Sequence, residues 1–361
     1  MKNILIFAGD SFLLNEEFCN YIKREYSNRI GKIDGILFFL DNDKDLFLKI
    51  NRIYAEYKNI LIVTSTSTYP IVSKIVATIF EDILVAKENQ LIPSKATKFQ
   101  ADSFLIEGDI KINVIRVDEL TKIPNIFIEN REEYAILNIF NISKEETKEK
   151  LYHLSNTYEI KLTCSQVTKE WIRVCAKSEK FGDLAMFVQN AKLLMPNNLI
   201  IANNIVEYLI ERFGTIKKHI AFAESCTGGL LASLLTKVPG SSKIFKGSLI
   251  TYANEIKTAW LGVKTKTLNE YGAVSKETVK EMLSGTIKVS DSDYALAISG
   301  IAGPGGATKN KPVGTVVIGV RNKNEEIIKI VHFNGDRGYI QYQAAMYAIK
   351  LLFDLAKDDL F

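Results

Sequence analysis

Short apolar runs that stop at a glycine or a hydroxyl-rich turn, each followed by helical spacing, constrain this chain more than any other feature. Asn3-Ile4-Leu5-Ile6-Phe7-Ala8-Gly9 is one such run, and Asn59-Ile60-Leu61-Ile62-Val63 before Thr64 is another. Each reads as a buried strand leading into a loop. Helical patterns at 15–26, 45–57 and 70–80, with a further strand at 35–40, complete an alternation that argues for a parallel sheet covered on both faces. After Pro93 the pattern turns to short strands at 103–107 and 111–116.

A chain of 361 residues is too long for one ordinary core; at about 100–200 residues per domain, two or three are expected. A smaller middle region follows the first. It has strands at 135–140, 159–164 and 171–177 and helices at 144–155 and 182–194, a compact α+β unit. Met195-Pro196-Asn197-Asn198 reads as a linker. The third region opens with a helix at 199–213, a strand at 219–223, a helix at 228–236 and a strand at 243–252. Helices at 254–261 and 275–289 and a strand at 293–299 come next. Two strands, 314–320 and 326–333, flank the hairpin signal Arg321-Asn322-Lys323-Asn324, and a helix at 339–355 closes the chain. The expected domains are therefore 1–132, 133–196 and 197–361, in a multidomain α/β protein.

The basic and acidic side chains, 46 and 42, leave a net charge of only +4 and are interspersed. That pattern belongs to solvated helix faces and gives no nucleic-acid arm. The four cysteines form no CxxC pair, and the three histidines are far apart in sequence, so neither a disulfide framework nor a His-rich zinc site is expected. No run of about 18 apolar residues occurs and the start lacks a cationic leader, so the chain reads as cytoplasmic, without membrane contact.

Three segments of the third region carry chemistry. In Ala223-Glu224-Ser225-Cys226-Thr227-Gly228-Gly229 a strand turns into a helix, where free amides can face an anion or a developing oxyanion. Ser225 and Thr227 suit a nucleophile, a phosphate ligand or a simple N-cap, and Gly228 and Gly229 allow close approach to a ligand. A capped helix with a glycine turn is the plain alternative. In Thr251-Tyr252-Ala253-Asn254-Glu255-Ile256-Lys257 a lysine sits in the first turns of a helix, against the helix dipole, which points mildly to another role; an exposed lysine is the plain alternative. Ser299-Gly300-Ile301-Ala302-Gly303-Pro304-Gly305-Gly306 follows an apolar strand and makes a loop whose amides suit an anion. At 335–338, Asp336 is an N-cap candidate, and Arg337 offers a phosphate clamp or a surface turn.

The texts AESCTGGLLASLLTKVPGSSKIFKGSLITYANEIKTAWLGV, YGAVSKETV, AISGIAGPGG and KPVGTV resemble, in order and spacing, the C-terminal domain of the CinA family, over about 165 residues. Members of that family include nicotinamide mononucleotide deamidases. The resemblance implies an amidohydrolase acting in pyridine nucleotide recycling, with a Ser–Lys pair and a nearby tyrosine in catalysis. By motif these are Ser225, Lys257 and Tyr252. Thr227, Gly228, Gly229, Ser299, Gly300, Gly303, Gly305 and Arg337 are then the expected substrate contacts. Ser299 stands where the family usually has threonine; both supply a hydroxyl. No metal and no cofactor is expected. The expected partners are a small nucleotide substrate and a second copy in a homodimer, without specific nucleic acid. Cys226 is a rival nucleophile. The competing functional readings are a non-enzymatic, competence-related interaction protein and a molybdopterin-type binding protein.

In longer CinA relatives this domain follows a molybdopterin-binding-like domain, which in some members hydrolyses ADP-ribose with a metal, and a small KH-like domain. The element order in residues 1–196 is similar. The family's GGLGPT-like loop is here Thr64-Ser65-Thr66-Ser67-Thr68-Tyr69-Pro70, with no glycine, and Ile71-Val72-Ser73-Lys74 stand where aspartates are usual. Without the glycines and carboxylates the backbone cannot approach a pyrophosphate closely, nor can a hard metal find its ligands. The first domain is expected to be degenerate, retained for dimerisation or regulation.

Overall fold

The apolar runs become strands because their alternate residues serve two different cores. In strand Asn3–Ala8, Ile4, Ile6 and Ala8 face one hydrophobic cluster while Leu5 and Phe7 face another. The computed structural model describes residues 2–129, 133–179 and 181–361. The chain divides into two units, Met1–Glu133 and Tyr134–Phe361.

The first unit is built on a six-stranded sheet. Four strands, Gly35–Phe39, Asn3–Ala8, Asn59–Thr64 and Lys111–Arg116, run parallel in that order, and Ser103–Glu107 and Lys98–Gln100 add an antiparallel edge. Helix Glu16–Ile30 covers one face through Phe18, Ile22, Tyr26 and Ile30. Helices Leu46–Glu56 and Tyr69–Ile79 cover the other through Ile50, Ile53, Val72 and Val76. The loop after Asn59–Thr64 is closed by its own hydroxyls. Thr68 Oγ1 accepts from the Ser65 amide at 3.0 Å and donates to the Ala8 carbonyl at 2.6 Å, and Ser65 Oγ accepts from the Thr68 amide at 3.2 Å. The Ser65 and Thr68 amides, at the two ends of the loop, are thereby engaged internally. Among the described residues no group of three or more His, Cys, Asp or Glu side chains is placed to hold a metal. No helix among them is long and apolar enough to cross a membrane.

The second unit holds two sheets. The smaller is antiparallel, in the order Ile160–Thr168, Trp171–Ser178, Tyr134–Phe140, Leu199–Ile201. Its last strand lies beyond the expected linker. Where the sequence predicts a helix from 199, Leu199–Ile201 pairs with Leu137–Ile139, and the helix is Ile205–Thr215. The side chain of Asn204 accepts from the Val206 amide at 3.0 Å and so fixes that start. Helices Lys144–Thr157 and Leu184–Leu194 pack on one face of this sheet through Leu151, Phe187 and Ala191. From the other, Phe140 and Trp171 reach the last helix, Arg337–Leu355, and Phe140 stacks on Phe353 with ring centroids 5.1 Å apart. Lys350 of that helix, buried, pairs with Glu170 of the small sheet's turn and with Asp354.

The larger sheet has the order Phe245–Ile250, Ile220–Glu224, Tyr294–Gly300, Thr315–Arg321, Glu326–His332. Its first three strands are parallel and the last two form an antiparallel hairpin. Helix Arg337–Leu355 lies on the face carrying Phe222, Leu296, Ile298 and Ile318. Helix Lys276–Ser290 covers the opposite face, which carries Ala223, Ala295, Ala297 and Val317. That helix approaches Asn254–Leu261 so closely at Gly285 that a Cβ there would lie 2.1 Å from the Leu261 carbonyl oxygen.

Gly285 therefore pits two effects against each other. Alanine is favoured over glycine inside a helix by about 1 kcal/mol, whereas overpacking against a fixed backbone costs about 1–3 kcal/mol. Packing wins at this separation. Gly285→Ala is expected to lower the midpoint of thermal unfolding, followed by circular dichroism, by a few degrees; an unchanged or higher midpoint would contradict the close helix contact.

Candidate active site

Ser225 leaves the carboxyl end of strand Ile220–Glu224 in a turn held from both sides. Its amide donates to the Ile298 carbonyl at 3.0 Å, and the Glu224 carbonyl accepts from the Thr251 amide at 2.8 Å. The turn is pinned by the fully buried Glu224. Its carboxylate accepts from the amides of Gly229, Leu231 and Ala232 and from the Ser248 hydroxyl, each at 3.0 Å. An anion at a helix start is favourable, and four donors replace the water it loses. Gly228 and Gly229 take φ of +58° and +98°, left-handed conformations that carry the chain from the turn into helix Leu230–Thr236.

Lys257, 1% exposed, comes back to Ser225 from the next parallel strand. Its strand, Phe245–Ile250, ends beside Glu224, and helix Asn254–Leu261 starts almost at once. Lys257 Nζ lies 3.1 Å from Ser225 Oγ, 2.8 Å from the Thr251 carbonyl oxygen and 2.9 Å from that of Tyr252. Among the described residues no carboxylate stands within ion-pair distance of it. Burial holds the amine below the usual lysine range, against a weaker opposing pull from Cys226 and Glu255. Nζ thus has three oxygen partners, which an ammonium meets with three hydrogens and a neutral amine with two hydrogens and its lone pair.

A cavity of about 490 Å³ opens on this pair. Ser225, Cys226, Tyr252 and Lys257 line it together with Ser299, Gly300, Gly303, Gly305 and Arg337. Arg337 ties two parts of the wall together, donating to the Gly303 carbonyl at 2.6 Å and to the Tyr252 hydroxyl at 3.2 Å. The Asp336 side chain caps the helix that carries it, accepting from the Tyr339 amide at 2.8 Å. The Ser299 hydroxyl donates to the Ala273 carbonyl at 2.7 Å, which joins the Gly-rich loop to the segment Ala273–Val274, also in the wall.

Three of the expected contacts are not brought to this cavity. Thr227, Gly228 and Gly229 do not line it. The Gly229 amide is spent on Glu224 and the Gly228 amide donates to the Ser225 carbonyl at 3.1 Å, so the glycine pair shapes the turn and not the ligand surface. Thr227 is buried, its hydroxyl without a hydrogen-bond partner among the described residues. The amide of Cys226, next to the serine, makes no hydrogen bond to another main-chain group among the described residues and faces its own thiol. The Cys226 thiol is pushed up to about 12, mainly by burial, which removes it as a thiolate near neutral pH. Glu224 is the functional residue that the sequence reading passed over. Its signal was an acid closing an apolar strand, one tight turn ahead of a short helix.

Residues 202–356 match the family model of the CinA C-terminal domain. A CinA-like protein of Endomicrobium trichonymphae is 53% identical over 136 residues, 38% of this chain and 32% of that protein. Another, from Thermotoga neapolitana, is 35% identical over 239 residues, 65% of this chain and 57% of that protein. The aligned parts thus span between a third and somewhat over half of these relatives' length. Among solved structures, a competence/damage inducible protein, CihA, from Agrobacterium tumefaciens is 35% identical, with 43% of this chain and 96% of that one covered and a TM-score of 0.41. Through the domain at residues 202–356 this chain belongs to the CinA family.

Proposed function

We propose that the domain hydrolyses the carboxamide of nicotinamide mononucleotide, giving nicotinate mononucleotide and ammonia. The observation that carries this reading is the buried Lys257 amine, 3.1 Å from Ser225 Oγ and unpaired with any carboxylate among the described residues. An amide carbon is a poor electrophile, and its cleavage needs a nucleophile, a base and an oxyanion site in one place. A cavity of about 490 Å³ suits a mononucleotide. Arg337 at its wall is matched to the 5′-phosphate, and so are the amides of the Ser299 to Gly306 loop. The resemblance to CinA deamidases supplies the substrate.

Lys257 takes the Ser225 proton as Oγ attacks the amide carbon. The main chain at Cys226, which lines the cavity beside the serine, is the nearest candidate donor to the developing oxyanion of the tetrahedral intermediate. The carbon–nitrogen bond then breaks, and Lys257 hands its proton to the departing nitrogen, releasing ammonia and leaving an ester on Ser225. Water attacks that ester as Lys257 accepts the water's proton; Lys257 returns this proton to Ser225 Oγ as the acyl–oxygen bond breaks, and the carboxylic acid released ionises to solvent. Tyr252, exposed and bonded to Arg337, is placed to orient the phosphate clamp or lie against the ring. A non-enzymatic interaction protein has no use for an uncompensated buried amine on a serine hydroxyl.

Ser225→Ala is expected to reduce ammonia release by at least about three orders of magnitude, with the far-ultraviolet circular dichroism unchanged, and Lys257→Met to do the same. Cys226→Ala, which keeps the amide, should retain most of the activity; the reverse ranking of the serine and cysteine variants would transfer the nucleophile. Activity requires neutral Lys257. The rate therefore rises with pH as the ammonium is lost and then levels, and burial places that rise below the ordinary lysine range. A rate falling through the same interval would rule the lysine out as base.

A further inference from the structure

The cavity assigned to the nucleotide poses a charge problem. The ring that bears the carboxamide in nicotinamide mononucleotide carries a fixed positive charge. Among the described residues the cavity wall has two basic side chains, Lys257 and Arg337, no aspartate or glutamate, and a single aromatic ring, Tyr252. A site whose purpose was to hold a cationic ring would offer a carboxylate or an aromatic cage. The buried carboxylate of Glu224 does not line the cavity and is occupied by four donors. The wall thus leaves the ring charge unbalanced, next to the one amine that must be neutral.

Resting on the proposed deamidase reading, we propose that the ring charge of the substrate is itself what keeps Lys257 unprotonated in the complex. The domain would then select charged-ring amides over uncharged-ring ones through the protonation state of this lysine. Attack brings the amide carbon to about 3 Å from Ser225 Oγ, and Nζ is 3.1 Å from the same oxygen. The ring begins one bond beyond that carbon, so its charge stands roughly 6–7 Å from Nζ. At an effective dielectric constant of about 20 this shifts the amine's titration by roughly one to two pH units towards acid. The other groups around the amine do not cancel the effect. Glu255, on the lysine's own helix, favours the ammonium form, the Cys226 thiol of the serine turn stays protonated, Tyr252 is exposed, and Arg337 of the last helix adds positive charge. The substrate phosphate also favours the ammonium form, but it is common to charged-ring and uncharged-ring nucleotides.

The test compares nicotinamide mononucleotide with the analogue in which benzamide, linked through carbon to the same ribose 5′-phosphate, replaces the pyridinium. Ammonia release by the full chain is followed against pH. The acid limb of kcat/KM reports the free enzyme and should coincide for the two substrates, whereas that of kcat reports the complex. The kcat limb is expected to lie roughly one to two pH units lower with the charged ring; coincident kcat limbs would overturn the proposal. Should the analogue resist cleavage, calorimetric titration of the full-length Ser225→Ala variant, in buffers of differing ionisation enthalpy, counts protons released on binding. The charged ring should release more than the analogue, and equal release is the overturning result. If nicotinamide mononucleotide yields no ammonia at any pH, the deamidase reading itself fails, which is a distinct outcome from coincident limbs.

Discussion

Three parallel strands held in register are the constraint on which the site depends. Glu224 is in register with Ile250 on one side and with Ile298 on the other. The segments that follow these three positions are the serine turn, the Thr251 to Lys257 segment and the Gly-rich loop. They emerge along one sheet edge, at the carboxyl ends of the strands, where open α/β sheets place their ligands. Two main-chain bonds, Thr251 N–H to Glu224 and Ser225 N–H to Ile298, fix that register. The antiparallel hairpin that completes the sheet contributes no reacting group. It supplies width, and with it an apolar bed for the last helix, whose first turn brings Arg337 to the rim.

Two buried charged groups are treated in opposite ways at this edge. Glu224 receives a full set of donors and is fixed as a structural anion. Lys257 receives carbonyl and hydroxyl oxygens but no carboxylate within ion-pair distance among the described residues. A carboxylate in contact would have held the amine as an ammonium. Burial without a counter-ion makes the free base accessible while leaving every hydrogen of that base with an acceptor. The serine turn is thus held by Glu224, while the serine hydroxyl itself faces an amine that burial biases towards its free base.

Much of this was legible in the sequence through the ordered motifs that resemble the CinA C-terminal domain, since each segment alone also reads as a capped helix, an exposed lysine or a glycine turn. Ser225, Tyr252, Lys257, Ser299, Gly300, Gly303, Gly305 and Arg337 share one cavity. What was not legible turned on partners remote in sequence. A glycine pair after a strand serves equally to turn the chain and to admit a ligand, and only the capture of the Gly229 amide by Glu224 decides for the turn. Glu224 itself reads as the polar end of a strand until the helix start that it satisfies is seen. The Leu199 to Ile201 run looks helical when joined to the periodic stretch after it, and becomes a strand because Leu137 to Ile139 offers it an edge. Ring pairs such as Phe140 with Phe353 leave no local trace at all.

The last helix is bedded on two sheets at once. Met346, Ala348 and Leu352 lie in the same continuous core as Trp171 and Phe140, and Lys350 crosses to Glu170. The small antiparallel layer is therefore half of the wrapping of the helix whose opening turn holds the arginine clamp. Severed at the apparent linker, the larger layer would lose a cover of aromatic rings and leave Lys350 with Asp354 alone, so the small layer helps to seat the helix that carries Arg337.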